Sequence, residues 1–229
     1  MVKFLFLDLD DTILDFHKAE RLAIGKTFRG FGLEPTDTVM DRYSQINKAH
    51  WERLERKELT REEVLVGRFE ALFREFGLEV DPERCARAYE DNLSVGHYFL
   101  PGAEEAVKAL SKKYKLYLAS NGTAKVQAGR LASADISRYF EEIFVSQEIG
   151  ANKPELAYFE RCFTRIPGFD KAKAMMVGDS LTSDILGGIQ AGIRTCWVNP
   201  GGKPGRADIQ PDYEIQALSQ LEALLETIA

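Results

Sequence analysis

Five short apolar runs punctuate this chain, and a helical pattern precedes each of the last four; that alternation limits the possible folds more than any other feature. The runs are "KFLFLD" (3–8), "YKLYLAS" (114–120), "EIFVS" (142–146), "AMMVGD" (174–179) and "RTCWVN" (194–199). The helical patterns cover 102–113, 123–133, 154–164 and 181–191. Apolar runs bounded by turn residues suit strands buried on both faces. Strand and helix in alternation predict right-handed βαβ units, hence an α/β fold with a doubly wound parallel sheet of Rossmann type. Such a sheet binds ligands outside the carboxyl ends of its strands.

The alternation breaks once. Between the first and second runs, over 17–97, no strand pattern appears, only charged amphipathic stretches such as "MDRYSQINKAHWERLERKE" and "TREEVLVGRFEALFREFG". Thr60 and Glu63 offer a capping box at a helix start there. The tract is too long for one crossover helix, which predicts an inserted helical cap domain at 17–97 and a core domain at 1–16 and 98–229. "FLPGA" (99–103) marks the return to the core, and an insert hinged at two crossings can act as a lid. Near the end, "NPGGKPGRADIQP" (199–211) reads as a turn-rich loop, followed by a last helix over 217–228.

Charge and cysteine content narrow the class. A net charge of -6 gives no basic footprint for a nucleic-acid polymer or an anionic membrane, though a small anionic substrate needs only a local positive pocket. Cys85, Cys162 and Cys196 are odd in number and lack CxxC spacing, so they read as reduced thiols of a cytoplasmic protein. The first apolar run is interrupted by Asp8 and lacks a small-residue cleavage site, and no segment reaches a membrane-spanning length. The sequence leaves oligomeric state open.

The strand exits carry the chemistry. Asp8, Asp10 and Asp11 crowd the first; two carboxylates about 4 Å apart repel by roughly 4 kcal/mol at an effective dielectric near 20, so either solvent screens that repulsion or a cation belongs there. Ser120 and Asn121 close the second run, Asp179 the fourth, and Asp184 follows five residues later. Lys153 stands directly before Pro154. Each has a plain structural alternative: Asp10 and Asp11 as turn residues, Ser120 and Asn121 as caps, Asp179 as the cap of the helix near 181, Asp184 as an exposed helical residue. Pro154 predicts a helix start, and Lys153 before it opposes the helix dipole, so it needs a charge partner or open solvent. A parallel sheet would bring all these exits to one edge. "GGIQAG" (187–192) fits close packing and a C-cap better than a phosphate loop, and neither GxGxxG nor Walker A is present.

In order along the chain, Asp8-Leu9-Asp10-Asp11-Thr12, Ser120, Lys153 and the acidic pair of "GDSLTSD" resemble the four motifs of the haloacid dehalogenase-like (HAD) hydrolase superfamily, and the insert resembles its cap. "DLDDTILDF" with "VGDSLTSDI" looks most like the HAD-type pyrimidine 5'-nucleotidases. The resemblance implies Asp8 as nucleophile, Asp10 as general acid and base, and Lys153 offsetting charge. It implies Ser120 and the Asn121 amide on the phosphoryl oxygens. Mg²⁺, with Mn²⁺ as its substitute, would be held by Asp8, the Asp10 carbonyl and Asp179. Asp184 and Thr12 would support these residues from behind. The implied activity is hydrolysis of a small phosphomonoester, a nucleoside 5'-monophosphate, with Phe16, His17 and Trp51 as candidates to pack on the leaving group. Sugar-phosphate hydrolysis, phosphomutation, dehalogenation and a non-catalytic phospho-sensor are the alternatives; dehalogenases lack the second Asp of the first motif, which here is Asp10.

Overall fold

A computed structural model describes residues 1–228; Ala229, the end of the expected core domain, lies outside them. Six strands form one sheet: β1 (Phe4–Leu7), β2 (Lys115–Ser120), β3 (Glu142–Val145), β4 (Ala174–Gly178), β5 (Arg194–Val198) and β6 (Tyr213–Ile215). Their order is β3-β2-β1-β4-β5-β6 and every pairing is parallel. The side-chain period of two divides the core into two layers. Leu5 and Leu7 face one cluster with helices α5 (Ala103–Leu110), α6 (Ala124–Ala134) and α10 (Leu221–Thr227). Phe4 and Phe6 face the other, with α8 (Leu156–Thr164) and α9 (Leu186–Ala191). The expected α/β fold is the observed one.

Several local expectations need correction. β6 was not foreseen because its three residues lie at an edge, partly exposed, and "YEI" has no apolar run. The short helix α7 (Ser146–Ile149) after β3 was also missed. α8 begins at Leu156, with Glu155 rather than Lys153 at its cap, so Lys153 lies outside the helix and the dipole argument does not apply to it. The pattern over 181–191 divides into a π-helical turn, Leu181–Ile185, and α9. The last helix starts with a 3₁₀ turn at Leu218–Gln220.

Between β1 and β2 the chain forms four helices: α1 (Phe16–Gly30), α2 (Asp37–Glu55), α3 (Arg61–Phe76) and α4 (Pro82–Leu93). Each start is capped by a side chain, from Asp15, Thr36, Thr60 and Asp81 in turn, and Thr60 with Glu63 makes the full capping box. Their apolar faces share a cluster of their own around Phe28, Tyr43, Phe69, Leu72 and Tyr89. Val126 joins that cluster while Leu131 joins the sheet core, so α6 links the two. The two chain crossings also pair with each other. Asp15 donates its amide to Tyr98 O at 2.7 Å, and Leu100 donates to Ile13 O at 3.0 Å. Among the described residues no helix is long and apolar enough to cross a membrane.

Candidate active site

β1 is hydrogen-bonded on both sides, to β2 and β4, so its exit lies at the middle of the carboxyl edge. Asp8 follows it directly, with its amide donating to Val177 O at 2.9 Å. Asp11 has a φ of 54°, a left-handed conformation that Asp tolerates. Its Oδ1 accepts from Phe16 N at 2.9 Å and its Oδ2 lies 3.4 Å from His17 Nε2. Asp11 is therefore a turn residue, one of the two alternatives the sequence offered. Thr12 is fully buried, and its Oγ1 has no hydrogen-bond partner among the described residues.

Lys153 is the centre of the site. It is 1% exposed, and its Nζ donates to Asp8 Oδ1 at 2.7 Å, Asp184 Oδ1 at 2.6 Å and Ala119 O at 2.6 Å. The three acceptors use all three ammonium hydrogens. Burial alone would lower its pKa, but Asp184 and Asp8 outweigh that and hold it above the ordinary lysine value. Asp184 is 1% exposed rather than solvated. Its second oxygen accepts from Ser180 N at 3.1 Å, and Gly178 leaves the space its carboxylate occupies, since a Cβ there would collide with it.

The nearby acids outnumber that single cation. One carboxylate oxygen from each of Asp8, Asp179 and Asp184 can be chosen so that all three lie within 4.8 Å of one another. With all three carboxylates ionised, the single ammonium of Lys153 would leave two negative charges uncompensated, and the chain resists that state. Asp8 is pushed up to about 8 by burial, with Asp184 and Asp10 adding to the shift and Lys153 opposing it. Asp179 is held well above the usual carboxylate range by burial and by repulsion from Asp184, Asp8 and Asp11. Hard oxygen donors with an excess of two negative charges suit a divalent ion such as Mg²⁺. Both oxygens of Asp184 are already engaged, which leaves Asp8 and Asp179 as the carboxylates better placed to bind one. Asp179 does not cap the following turn; Ser180 does, accepting from Ser183 N.

Ser120 is 1% exposed, and its Oγ accepts from Gly122 N at 3.2 Å and from Gln127 Nε2 at 2.8 Å. The Asn121 side chain ties two loops together. It donates to Lys153 O at 2.9 Å and accepts from Lys153 N at 2.8 Å, which ties the lysine backbone to the exit of β2. Asp10 does not join the acidic cluster. Its carboxylate is paired with Arg130 Nη1 and accepts from Gln127 Nε2 at 2.8 Å.

Sequence reasoning missed four residues at this edge: Glu55, Arg61, Gln127 and Arg130. From the start of α3, Arg61 reaches across to the sheet. It donates to Asn121 O, Gly122 O, Ser146 Oγ and Asn152 Oδ1 at 2.6–3.1 Å, with Trp51 5.5 Å from its guanidinium. Glu55, at the end of α2, accepts from Thr182 Oγ1 at 3.0 Å, and burial raises its pKa to about 7. The capping box at Thr60 marked where α3 starts, but no sequence signal pointed to partners 60–91 residues away. Trp51 and Phe16 are partly buried, Phe16 against the helical cluster, while the His17 side chain is 77% exposed.

A carboxylate at a central strand tip, a buried lysine and an acidic pair on one edge of a doubly wound sheet define a hydrolase class that builds its chemistry on strand ends. Residues 2–192 match the haloacid dehalogenase-like hydrolases, and the chain belongs to that family. It is 39% identical over 221 residues to the HAD-hydrolase YfnB of Bacillus subtilis, covering 96% of this chain and 94% of that one. A solved structure of YfnB, bound to magnesium and described as revealing interdomain movement, matches with a TM-score of 0.94 over 98% of both chains. The pyrimidine 5'-nucleotidase PynA of Streptococcus pneumoniae is 38% identical over 220 residues, 96% of this chain and 93% of that one. A 2-haloacid dehalogenase structure from Pseudomonas syringae matches over 100% of both chains at 27% identity and a TM-score of 0.66.

Proposed function

We propose that this hydrolase is a Mg²⁺-dependent phosphatase acting on small phosphomonoesters through an aspartyl-phosphate on Asp8, with pyrimidine nucleoside 5'-monophosphates as its substrates. The observation that carries the phosphatase reading is the Asp8–Lys153–Asp184 network, with a further carboxylate, Asp179, beside it and a second acid, Asp10, on the same turn. Asp8 attacks phosphorus as the bond to the leaving oxygen breaks, and Asp10 gives that oxygen its proton. Asp10, now a carboxylate, takes a proton from the water that attacks the phosphorus of the Asp8 acyl phosphate. Inorganic phosphate leaves and the Asp8 carboxylate is restored. Lys153 offsets the charge gathered on Asp8 and the phosphoryl oxygens, while Ser120 and the Asn121 amide bind those oxygens. Asp184 holds Lys153 in place.

Asp8, Asp179 and the Asp10 carbonyl would hold Mg²⁺, or Mn²⁺ in its stead. When bound, the ion supplies the positive charge that lets a carboxylate approach a phosphate dianion. Residues 17–97 act as a cap that excludes water from the first half-reaction, with Arg61 and Glu55 as its contacts on the sheet edge. Asp10 argues against dehalogenation, because a halide leaves without a proton. The nucleotide assignment is supported by the 38% identity to PynA. A small-molecule substrate and a cytoplasmic location go with this reading.

The test is hydrolysis of p-nitrophenyl phosphate with Mg²⁺, followed by kcat/KM across a panel of phosphomonoesters. Activity should stop with EDTA, fall on the order of a thousandfold or more in Asp8→Asn, and be highest on pyrimidine mononucleotides. Full activity of Asp8→Asn would overturn the nucleophile. Flat rates across nucleotides, with one sugar phosphate far ahead, would overturn the substrate.

A further inference from the structure

Arg130 is the largest fully buried side chain outside the Lys153 network, and the mechanism above gives it no role. It stands near the middle of α6 with 0% exposure. Its Nε donates to Gly96 O at 3.0 Å, and its Nη1 is paired with Asp10 Oδ1 and donates to Gln127 Oε1 at 3.2 Å. Its Nη2 has no partner among the described residues, and its guanidinium carbon lies 5.8 Å from the Phe16 ring centre. A buried guanidinium with an unused donor is costly, so a purely structural role would be filled better by an apolar side chain.

The position of its partners is what distinguishes it. Gly96 lies on the chain's return from the helical insert, and Phe16 and Asp10 lie on its outward path. One planar group therefore touches both crossings and the second acid of the first motif. The return crossing is pressed between α6 and α1: a Cβ on Gly129 of α6 would come within 2.7 Å of Ser94 O, and one on Gly96 within 3.0 Å of Ala19 Cβ of α1. Movement of the 94–96 segment thus cannot avoid moving the Arg130 acceptor. Gln127 completes the link, since its Nε2 donates to both Asp10 Oδ2 and Ser120 Oγ at 2.8 Å.

We propose that Arg130, assisted by Gln127, is a positioning residue that sets the orientation of the Asp10 carboxylate according to where the 94–96 hinge segment sits. Proton transfer and insert position are then one coupled variable: a displaced Gly96 carbonyl turns the guanidinium fork, and the fork turns Asp10. The fork geometry matters as well as the charge, because Arg holds two acceptors in fixed relative directions and Lys does not. This inference rests on the phosphatase reading and on Asp10 as its acid and base.

The experiment compares kcat/KM on p-nitrophenyl phosphate, whose aryl oxide leaves without protonation, with kcat/KM on the fastest alkyl phosphomonoester, whose alkoxide needs a proton. Correctly placed general acids contribute about a hundredfold to ten-thousandfold. Arg130→Lys should lower the alkyl value more than the aryl one, shifting their ratio by about tenfold or more. Gly96→Ala, which moves the hinge carbonyl without touching the ion pair, should shift the ratio the same way to a smaller extent, and it stands in if Arg130→Lys does not fold. Equal losses on both esters in Arg130→Lys would mean only a loss of competent protein and would overturn the positioning role. An unshifted ratio in Gly96→Ala would overturn the link to the hinge. Wild-type protein inactive on both esters would instead refute the phosphatase reading itself.

Discussion

The buried charge network of the helical insert and that of the Lys153 edge are built differently. In the helical insert, Glu20 is 2% exposed and accepts from Ser44 Oγ and from Asn47 Nδ2, the latter at 2.6 Å. Arg68, equally buried, donates to Asn47 Oδ1 at 2.8 Å and to Leu65 O at 3.2 Å, with its guanidinium 4.9 Å from the Tyr89 ring centre. One carboxylate and one guanidinium share a single asparagine between them, and the charges cancel. At the sheet edge, Asp8 and Asp184 share the one buried ammonium of Lys153, Asp179 has only the exposed Lys203 acting on it from a distance, and the ionised charges would not cancel. Burial of charge is common to both, so burial does not identify a site. The imbalance does, because it calls for something the chain does not itself supply.

The comparison can be broken most decisively at Asp179. Asp179→Asn is expected to lower kcat with Mg²⁺ by at least about a hundredfold. In EDTA the same variant should melt at a higher temperature than wild type, since the amide removes repulsion from Asp184, Asp8 and Asp11. A variant that lost stability along with activity would put the edge network in the same structural class as the insert. Arg68→Met should do the reverse, reducing stability by about 3 kcal/mol in denaturant titrations while the folded fraction turns over normally. Lost turnover at full stability would make the insert network a functional one.

Glu55 gives a finer test, because it belongs to the insert but senses the edge. Burial raises its pKa from the usual range to about 7, with Asp184 and Glu52 adding to the shift and Thr182 and Lys153 opposing it. An acid raised in the folded state binds a proton there that the unfolded chain has released. Its stabilising contribution is full below about 4.5 and is lost as pH rises through about 7. Glu55→Gln should therefore match wild type near pH 5 and exceed it by about 1 to 2 kcal/mol at pH 8, allowing for partial solvent screening. Equal stabilities across that range would remove Glu55 from the contact.

How much of this was legible beforehand varies with the kind of information involved. Asp8, Ser120, Lys153 and Asp179 could be placed on one edge from the alternation of runs alone, because parallel strands share an exit direction. That logic did not reach the side-chain partners of Asp10. Its residue type was visible, but its pairing with Arg130 depends on a helix 120 residues away, and Arg130 sits in a pattern that reads as an ordinary amphipathic helix. Lys153 was singled out by an argument about a helix dipole that the structure removes, yet the need for a charge partner was sound: burial, not the dipole, creates it. Short edge elements such as β6 and α7 escaped because three or four residues carry too little periodicity to register.

The central position of β1 bears on how this protein fails. Its four residues are 0–1% exposed and bonded to neighbours on both flanks, so local fraying does not reach the peptide that carries Asp8. Segments of that kind open only when the whole domain does. The Asp8 peptide is thereby insulated from partial damage: helices of the insert can loosen, and rim loops can shift, without spoiling the backbone of the strand tip, which is lost only when the sheet itself collapses.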